Sequence, residues 1–268
     1  MKDNQKKRPR LFVNIFGTPI LIGTIYLGNY LFVALFSVIC FFAMYEFNNI
    51  CKKMGYDQII FIPYFALILL TGSAVDIFNI DFIQVLLLIV FLSMVGCVLI
   101  KTKEPISTIS TTMFSTVWIG LFFHSLVEIR MNVEFGLILT FSMFFSVWIC
   151  DSAAYIFGKQ FGEKKIAPNI SPKKTWVGSI SGLIFALIFM LILYLSNYPG
   201  YEFSLNKTVL LGFIFGGFSQ FGDLFESKLK RIAKVKDSSY FLQGHGGFLD
   251  RFDSLLITAP ITLYILNY

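Results

Sequence analysis

The chain has 268 residues, of which 56% are hydrophobic and 18% aromatic, and its mean hydropathy is +0.73. So apolar a composition excludes a soluble domain and implies a membrane protein. Charged residues make up only 14%, the net charge is +6, and their placement, below, records topology rather than nucleic-acid binding.

A helix needs about 20 apolar residues to cross the hydrocarbon core. Nine runs qualify in chain order: 11–27, 30–47, 59–75, 82–100, 108–127, 133–157, 176–195, 208–221 and 248–266. The fold class expected is therefore all-α, a polytopic membrane protein of about nine transmembrane helices. The start, MKDNQKKRPR, imitates a secretory leader, but no small-residue cleavage site follows it, so 11–27 reads as a retained helix. The eighth run is the weakest, being short and holding Gly212, Gly216 and Gly217.

With the N-terminus in the cytoplasm, all 22 Lys and Arg except Arg130 and Lys207 fall on the cytoplasmic side, as the positive-inside rule requires. Cys40, Cys51, Cys97 and Cys150 are far apart and form no Cys-x-x-Cys pair, so neither a disulfide framework nor a zinc site is indicated.

Residues 1–134 form an N-terminal set of transmembrane helices with little chemistry; Asn14, Glu46, His124 and Glu128 are the polar exceptions. His124 and Glu128, one turn apart, suit interfacial anchoring or a helix–helix hydrogen bond. Residues 135–268 form a C-terminal region with two long cytoplasmic loops dense in ionisable groups, continuous with the first set in one integral membrane unit.

In the second of these loops, Asp223, Glu226, Ser227, Lys230 and Arg231 share one face if the eighth helix continues outward. Further on, Gly244, His245, Gly246 and Gly247 mark a turn where backbone can approach a ligand. Asp250 and Asp253 then open the ninth run, three residues apart on one helix face, at a helix N-terminus whose N–H groups suit an anion. Asp151 ends the sixth run and Asp223 the eighth, so topology carries four carboxylates to one depth.

Clustered Asp without His or Cys selects a hard cation such as Mg²⁺, which commonly arrives with substrate phosphates. Lys173, Lys174, Lys230, Arg231, Lys236 and Arg251 are what polyphosphate oxygens require. Either aspartate of the ninth run alone is explained by the helix dipole. That account fails for Asp151 and Asp223 at helix C-terminal ends, where a bound cation removes the conflict. Carboxylates for metal and cations for phosphate at a membrane surface imply phosphoryl or nucleotidyl transfer to a lipid.

These residues resemble the phosphatidate cytidylyltransferase (CDP-diacylglycerol synthase) family. The signature comprises Ser227, Lys230-Arg231, Lys236-Asp237, His245-Gly246-Gly247, Asp250-Arg251 and Asp253, with upstream matches at Gly222-Asp223, Asp151-x-x-Ala-Tyr, Gly158, Phe161-Gly162 and Ser171-Pro-Lys-Lys-Thr-Trp-x-Gly. Gln243 and Val177 depart from it, standing where Pro, Gly or Ser and where Glu are usual.

The resemblance implies transfer of CMP from CTP to phosphatidate, in phospholipid biosynthesis, at a cell-membrane active site facing the cytoplasm. It implies Asp223, Asp250, Asp253 and Asp151 as ligands of Mg²⁺, with a second cation allowed, and a homodimer. Lys173, Lys174, Lys230, Arg231, Lys236, Asp237 and Arg251 become candidates for the CTP phosphates and the lipid headgroup, with Ser171, Ser227, Gly246 and Gly247 as further contacts. His245 either bonds phosphate or supports the turn. A CTP-dependent polyprenol or dolichol kinase is the alternative chemistry. A transporter fits less well, since the spans are nearly free of charge and no repeat is present.

Overall fold

The computed structural model describes residues 13–242 and 246–266 and is mostly helical. A π-helical turn at Val13–Gly17 leads into α1 (Thr18–Leu27), followed by α2 (Asn29–Lys53), α3 (Phe61–Ala74), α4 (Phe82–Ile100), α5 (Pro105–Met131) and α6 (Gly136–Phe161). Strands β1 (Lys165–Ala167) and β2 (Ser171–Thr175) precede α7 (Trp176–Leu195) and α8 (Leu205–Phe213). A second π-helical segment, Ile214–Phe218, joins α8 to α9 (Ser219–Ile232), and α10 (Leu249–Phe252) and α11 (Leu255–Leu266) follow.

Among the described residues six helices are long and apolar enough to cross a membrane, the last being the continuous Leu205–Ile232; 15–27, 61–74 and 255–266 are apolar but shorter. Two expectations change here. The eighth run, expected to be the weakest, belongs to a 28-residue helix. Its glycines serve close packing: a Cβ on Gly216 would lie 2.9 Å from both Leu183 Cα and Ala186 Cβ. The wider π turn displaces backbone bonding locally, and the Gly216 carbonyl accepts from Gln220 Nε2 at 2.6 Å and Cys150 Sγ at 3.4 Å. The ninth run, conversely, is not one helix, because the chain breaks between Phe252 and Leu255. Asp250 lies on a one-turn helix and Asp253 in the break, so they do not line one continuous helix face.

The all-α expectation also missed a two-stranded antiparallel hairpin, with Lys165 opposite Thr175 and Ala167 opposite Ser171. Its turn is closed by Ile170 N–H donating to the Ala167 carbonyl at 3.1 Å, with Pro168 and Asn169 between them, residues that favour tight turns.

The chain forms two compact units, Met1–Val127 with Ile232–Phe252, and Glu128–Arg231 with Asp253–Tyr268. The first has an aromatic core in which Phe36 meets Phe252 edge-on at 5.9 Å and Phe122 at 6.3 Å. Its helix α4 begins with a reciprocal cap, Gln84 N–H donating to Asp81 Oδ1 at 2.8 Å and Asp81 N–H to Gln84 Oε1 at 3.1 Å. Apolar residues cover much of the surface of α4, including Leu87, Phe91 and Val98, the surface a helix presents to lipid. In the second unit α6 and α7 approach through small residues, as membrane helices do: a Cβ on Gly182 would meet the Cys150 carbonyl at 2.8 Å. Thr175 ends β2 and caps α7, its Oγ1 accepting from Gly178 N–H at 3.2 Å. The charged hairpin is thereby fixed to the start of an apolar helix.

Candidate active site

In the second unit the ionisable groups converge on α9. The spacing from Asp223 to Arg231 does place five polar side chains on that helix, which continues directly from the apolar segment before it; but Asp223 lies well inside α9 and Asp151 well inside α6, so neither stands at a helix C-terminal end as expected. Lys174 Nζ on β2 pairs with Asp223 Oδ2 at 2.5 Å, and Ser227 Oγ donates to Asp223 Oδ1 at 3.2 Å. Arg231 Nε donates to the Ile170 carbonyl in the hairpin turn at 3.1 Å, so α9 and the hairpin are tied at two points. Lys230 is buried and paired with the buried Glu226. Part of its charge, expected to serve phosphate, is therefore committed within the helix. Lys173 lies exposed on β2 beside the half-buried Ser171.

Asp253 lies against the same helix. A Cβ on Gly222 would meet the Asp253 carbonyl oxygen at 2.4 Å, so the glycine is what lets the break before α11 approach α9. Burial pushes the Asp253 carboxyl up to about 8, and Asp223 and then Asp151 push in the same direction. The Ser254 N–H, 2.6 Å from Asp253 Oδ1, and Lys230 oppose them. Asp253 is thus buried in the field of two further carboxylates, Asp151 and Asp223, the latter paired with Lys174.

That field decides whether a divalent cation fits. Among the described residues no three carboxylate, imidazole or thiol groups form a ready metal cluster. Mg²⁺, however, is commonly held by one or two carboxylates together with substrate phosphates. An oxygen-only donor set in which Asp223 and Asp151 raise Asp253 is one that a cation would relieve. The chemistry of the donors fits Mg²⁺.

The first unit holds the glycine turn. Gly246 has φ +81°, a backbone conformation suited to glycine, and its carbonyl accepts from Leu242 N–H at 3.1 Å. Asp250 Oδ2 accepts from Ser238 N–H at 2.9 Å, Ser238 Oγ at 2.8 Å and Gly247 N–H at 2.7 Å. An aspartate expected to bind metal is therefore also the anchor of this loop. His245 and Gln243 lie outside the described residues. Arg251 is exposed on α10. Lys236 and Asp237 line a cavity of about 890 Å³ together with Lys52, Lys53 and Lys234.

The expectation that N–H groups at the start of the last helix would await an anion is corrected. Phe248 N–H donates to Glu46 Oε1 at 3.0 Å and Leu249 N–H to Glu46 Oε2 at 2.8 Å. The anion at that helix start is the chain's own carboxylate. Sequence reasoning gave Glu46 no role, although a lone acid inside an apolar run was the available signal.

A helical membrane protein with lysines and aspartates gathered on a helix end carries the layout of a lipid-directed phosphate enzyme. The chain belongs to the cytidylyltransferase family, which it matches over residues 8–268. It is 38% identical over 185 residues to the phosphatidate cytidylyltransferase of Bacillus subtilis (strain 168), an overlap covering 68% of this chain and 67% of that one. It is 34% identical over 234 residues to the phosphatidate cytidylyltransferase of Staphylococcus saprophyticus, covering 86% of this chain and 88% of the relative. The Haemophilus influenzae protein of the same name is 43% identical over 131 residues, 48% of this chain and 46% of its own.

Proposed function

We propose that this protein transfers CMP from CTP to phosphatidate, giving CDP-diacylglycerol and pyrophosphate. The observation that carries the reading is the family match across nearly the whole chain, joined to the Lys174–Asp223 pair inside the segments that bear the signature. A phosphatidate oxygen attacks the α-phosphorus of CTP, the bond to the β-phosphate bridging oxygen breaks, and pyrophosphate leaves. The nucleophile is already anionic, so no side-chain base is required. Positioning and charge neutralisation dominate, as in other phosphoryl transfers.

Asp223 and Asp253, with Asp151 directly or through water, would hold Mg²⁺. When bound, the cation neutralises phosphate oxygens and the leaving pyrophosphate. Lys174, with Lys173, Lys230 and Arg231, would offer its ammonium to the nucleotide phosphates. Ser171 and Ser227 supply hydroxyl contacts. On the strength of the signature alone, Lys236, Asp237 and Arg251 join the substrate-binding residues. The chain crosses the cell membrane nine times with its N-terminus and active site at the cytoplasmic face, a reading supported by the one-sided distribution of Lys and Arg.

The test uses purified protein in detergent with phosphatidate, Mg²⁺ and CTP labelled on the α-phosphate. Label in the lipid product supports the reading. Label reaching lipid only from the γ-phosphate would overturn it in favour of a CTP-dependent lipid kinase.

A further inference from the structure

We infer that Glu46 is a positioning residue of the active site, holding the two ends of the signature loop in one geometry from the apolar half of the chain. The inference rests on the cytidylyltransferase reading for its kinetic consequence, but its structural basis is independent of that reading.

Glu46 lies on α2 with no exposed surface. Each of its oxygens receives two donors. Oε1 accepts from Ser239 Oγ at 2.6 Å and Phe248 N–H at 3.0 Å; Oε2 accepts from Ser238 Oγ at 2.9 Å and Leu249 N–H at 2.8 Å. These donors come from two stretches of chain, one directly after Lys236-Asp237 and the other directly before Asp250-Arg251. A buried carboxylate taken out of water requires such a set of donors. The reverse dependence matters as much, because Ser239 Oγ and the Phe248 and Leu249 N–H groups lose this acceptor if the carboxylate is removed.

Gly247 shows how closely the loop is fitted to this group. A Cβ there would meet Glu46 Oε1 and Oε2 at 2.3 Å and Ser238 Oγ at 2.2 Å. The second glycine of the signature is thus matched to a carboxylate rather than left open for a ligand. Asp250 staples the same loop through Ser238 and Gly247, so Ser238 Oγ stands within bonding distance of both acids. With one proton, that hydroxyl serves one carboxylate at a time. The two acids hold the loop jointly.

The experiment compares wild type, Glu46→Gln and Ser239→Ala in detergent by two readouts, steady-state kinetics with α-labelled CTP and amide hydrogen exchange of peptides covering 246–252. Gln presents an NH₂ where one oxygen accepted, so a backbone N–H, Phe248's or Leu249's, loses its acceptor while the serine hydroxyl beside it can turn to accept from the amide; Ser239→Ala removes one bond and leaves the fold less exposed to failure. Exchange at Phe248 or Leu249 should accelerate about tenfold or more in Glu46→Gln, the equivalent of one lost hydrogen bond to a charged group. The kcat should fall about 100-fold while KM for CTP stays within about threefold, the pattern of misplacement rather than lost binding. Ser239→Ala should shift both readouts in the same direction by less.

Wild-type exchange and wild-type kcat in Glu46→Gln would overturn the inference, as would a loss of activity fully accounted for by a smaller folded fraction. If wild type itself transfers no label to lipid, the cytidylyltransferase reading fails, and the exchange result still decides whether Glu46 fixes the loop.

Discussion

Lys174 on β2 and Asp223 on α9 form a 2.5 Å ion pair that joins the charged hairpin to the helix carrying the carboxylates. The pair makes a specific demand on the proposed reaction, in which the lysine would exchange its carboxylate partner for phosphate when substrate arrives. Lys174→Met should lower kcat/KM by about 10²–10³, the usual effect of removing one donor aimed at developing charge, with part of the loss in KM for CTP. Steady-state rates at varied CTP check this, and rates within threefold of wild type would remove Lys174 from the phosphate-binding residues.

Asp253 gives a pH dependence of stability. Its carboxyl is raised from the ordinary 3.8 to about 8, so between those values the folded protein holds a proton that the unfolded chain releases. Stability from this group is present at the acidic end and lost as pH rises through the window. In a chelator, thermal unfolding of the detergent-solubilised protein should therefore shift downward from about pH 5 to about pH 8. Asp253→Asn should flatten that slope while abolishing transfer. An unchanged slope in the variant would show that Asp253 carries no such proton.

Asp250 separates two roles through its metal dependence. Its Oδ2 anchors the loop through Ser238 and Gly247, so Asp250→Asn should lower kcat and speed amide exchange in the loop at every Mg²⁺ concentration. A metal ligand instead shows a raised Mg²⁺ requirement that excess cation partly rescues. Titrating Mg²⁺ against Asp250→Asn and Asp223→Asn in parallel reads the two apart, with the Mg²⁺ shift expected for Asp223→Asn.

Gly222 is held to its size by the Asp253 carbonyl, 2.4 Å from where a Cβ would lie. Gly222→Ala should cost about 1–3 kcal/mol through overpacking, seen as a lower unfolding temperature together with lost activity. Gly23, inside α1 with nothing within 4 Å of its Cβ position, is the control, and Gly23→Ala should leave activity unchanged and the unfolding temperature unchanged or slightly raised, alanine being the better helix former. A Gly222→Ala protein as stable as wild type would show that the break before α11 can move away from α9 without cost.

Membrane orientation is tested by single cysteines on a cysteine-free background. Cysteine at Lys103 should react with a membrane-impermeant maleimide only in opened vesicles, and cysteine at Lys207 in intact right-side-out vesicles. The reverse pattern would invert the proposed topology.

The sequence alone pointed to a membrane protein, indicated where most helices run, and picked out the signature residues proposed for phosphate and metal chemistry. Hydropathy suffices for helices because hydrocarbon leaves backbone groups no partner outside the helix, and α4 and α7 begin and end where the apolar runs do. Spacing sufficed for α9, whose polar face follows from helical geometry. Tertiary structure decided what periodicity does not encode. The Gly216 region carries the helix onward because the glycine packs on Leu183 and Ala186, a fact about another helix. The last apolar run is broken after Phe252, although its hydropathy is continuous. Glu46 found its four donors about 190 to 200 residues away, and no local pattern announces partners at that distance. What a buried carboxylate must have is fixed by desolvation; which residues supply it is fixed only when the chain folds.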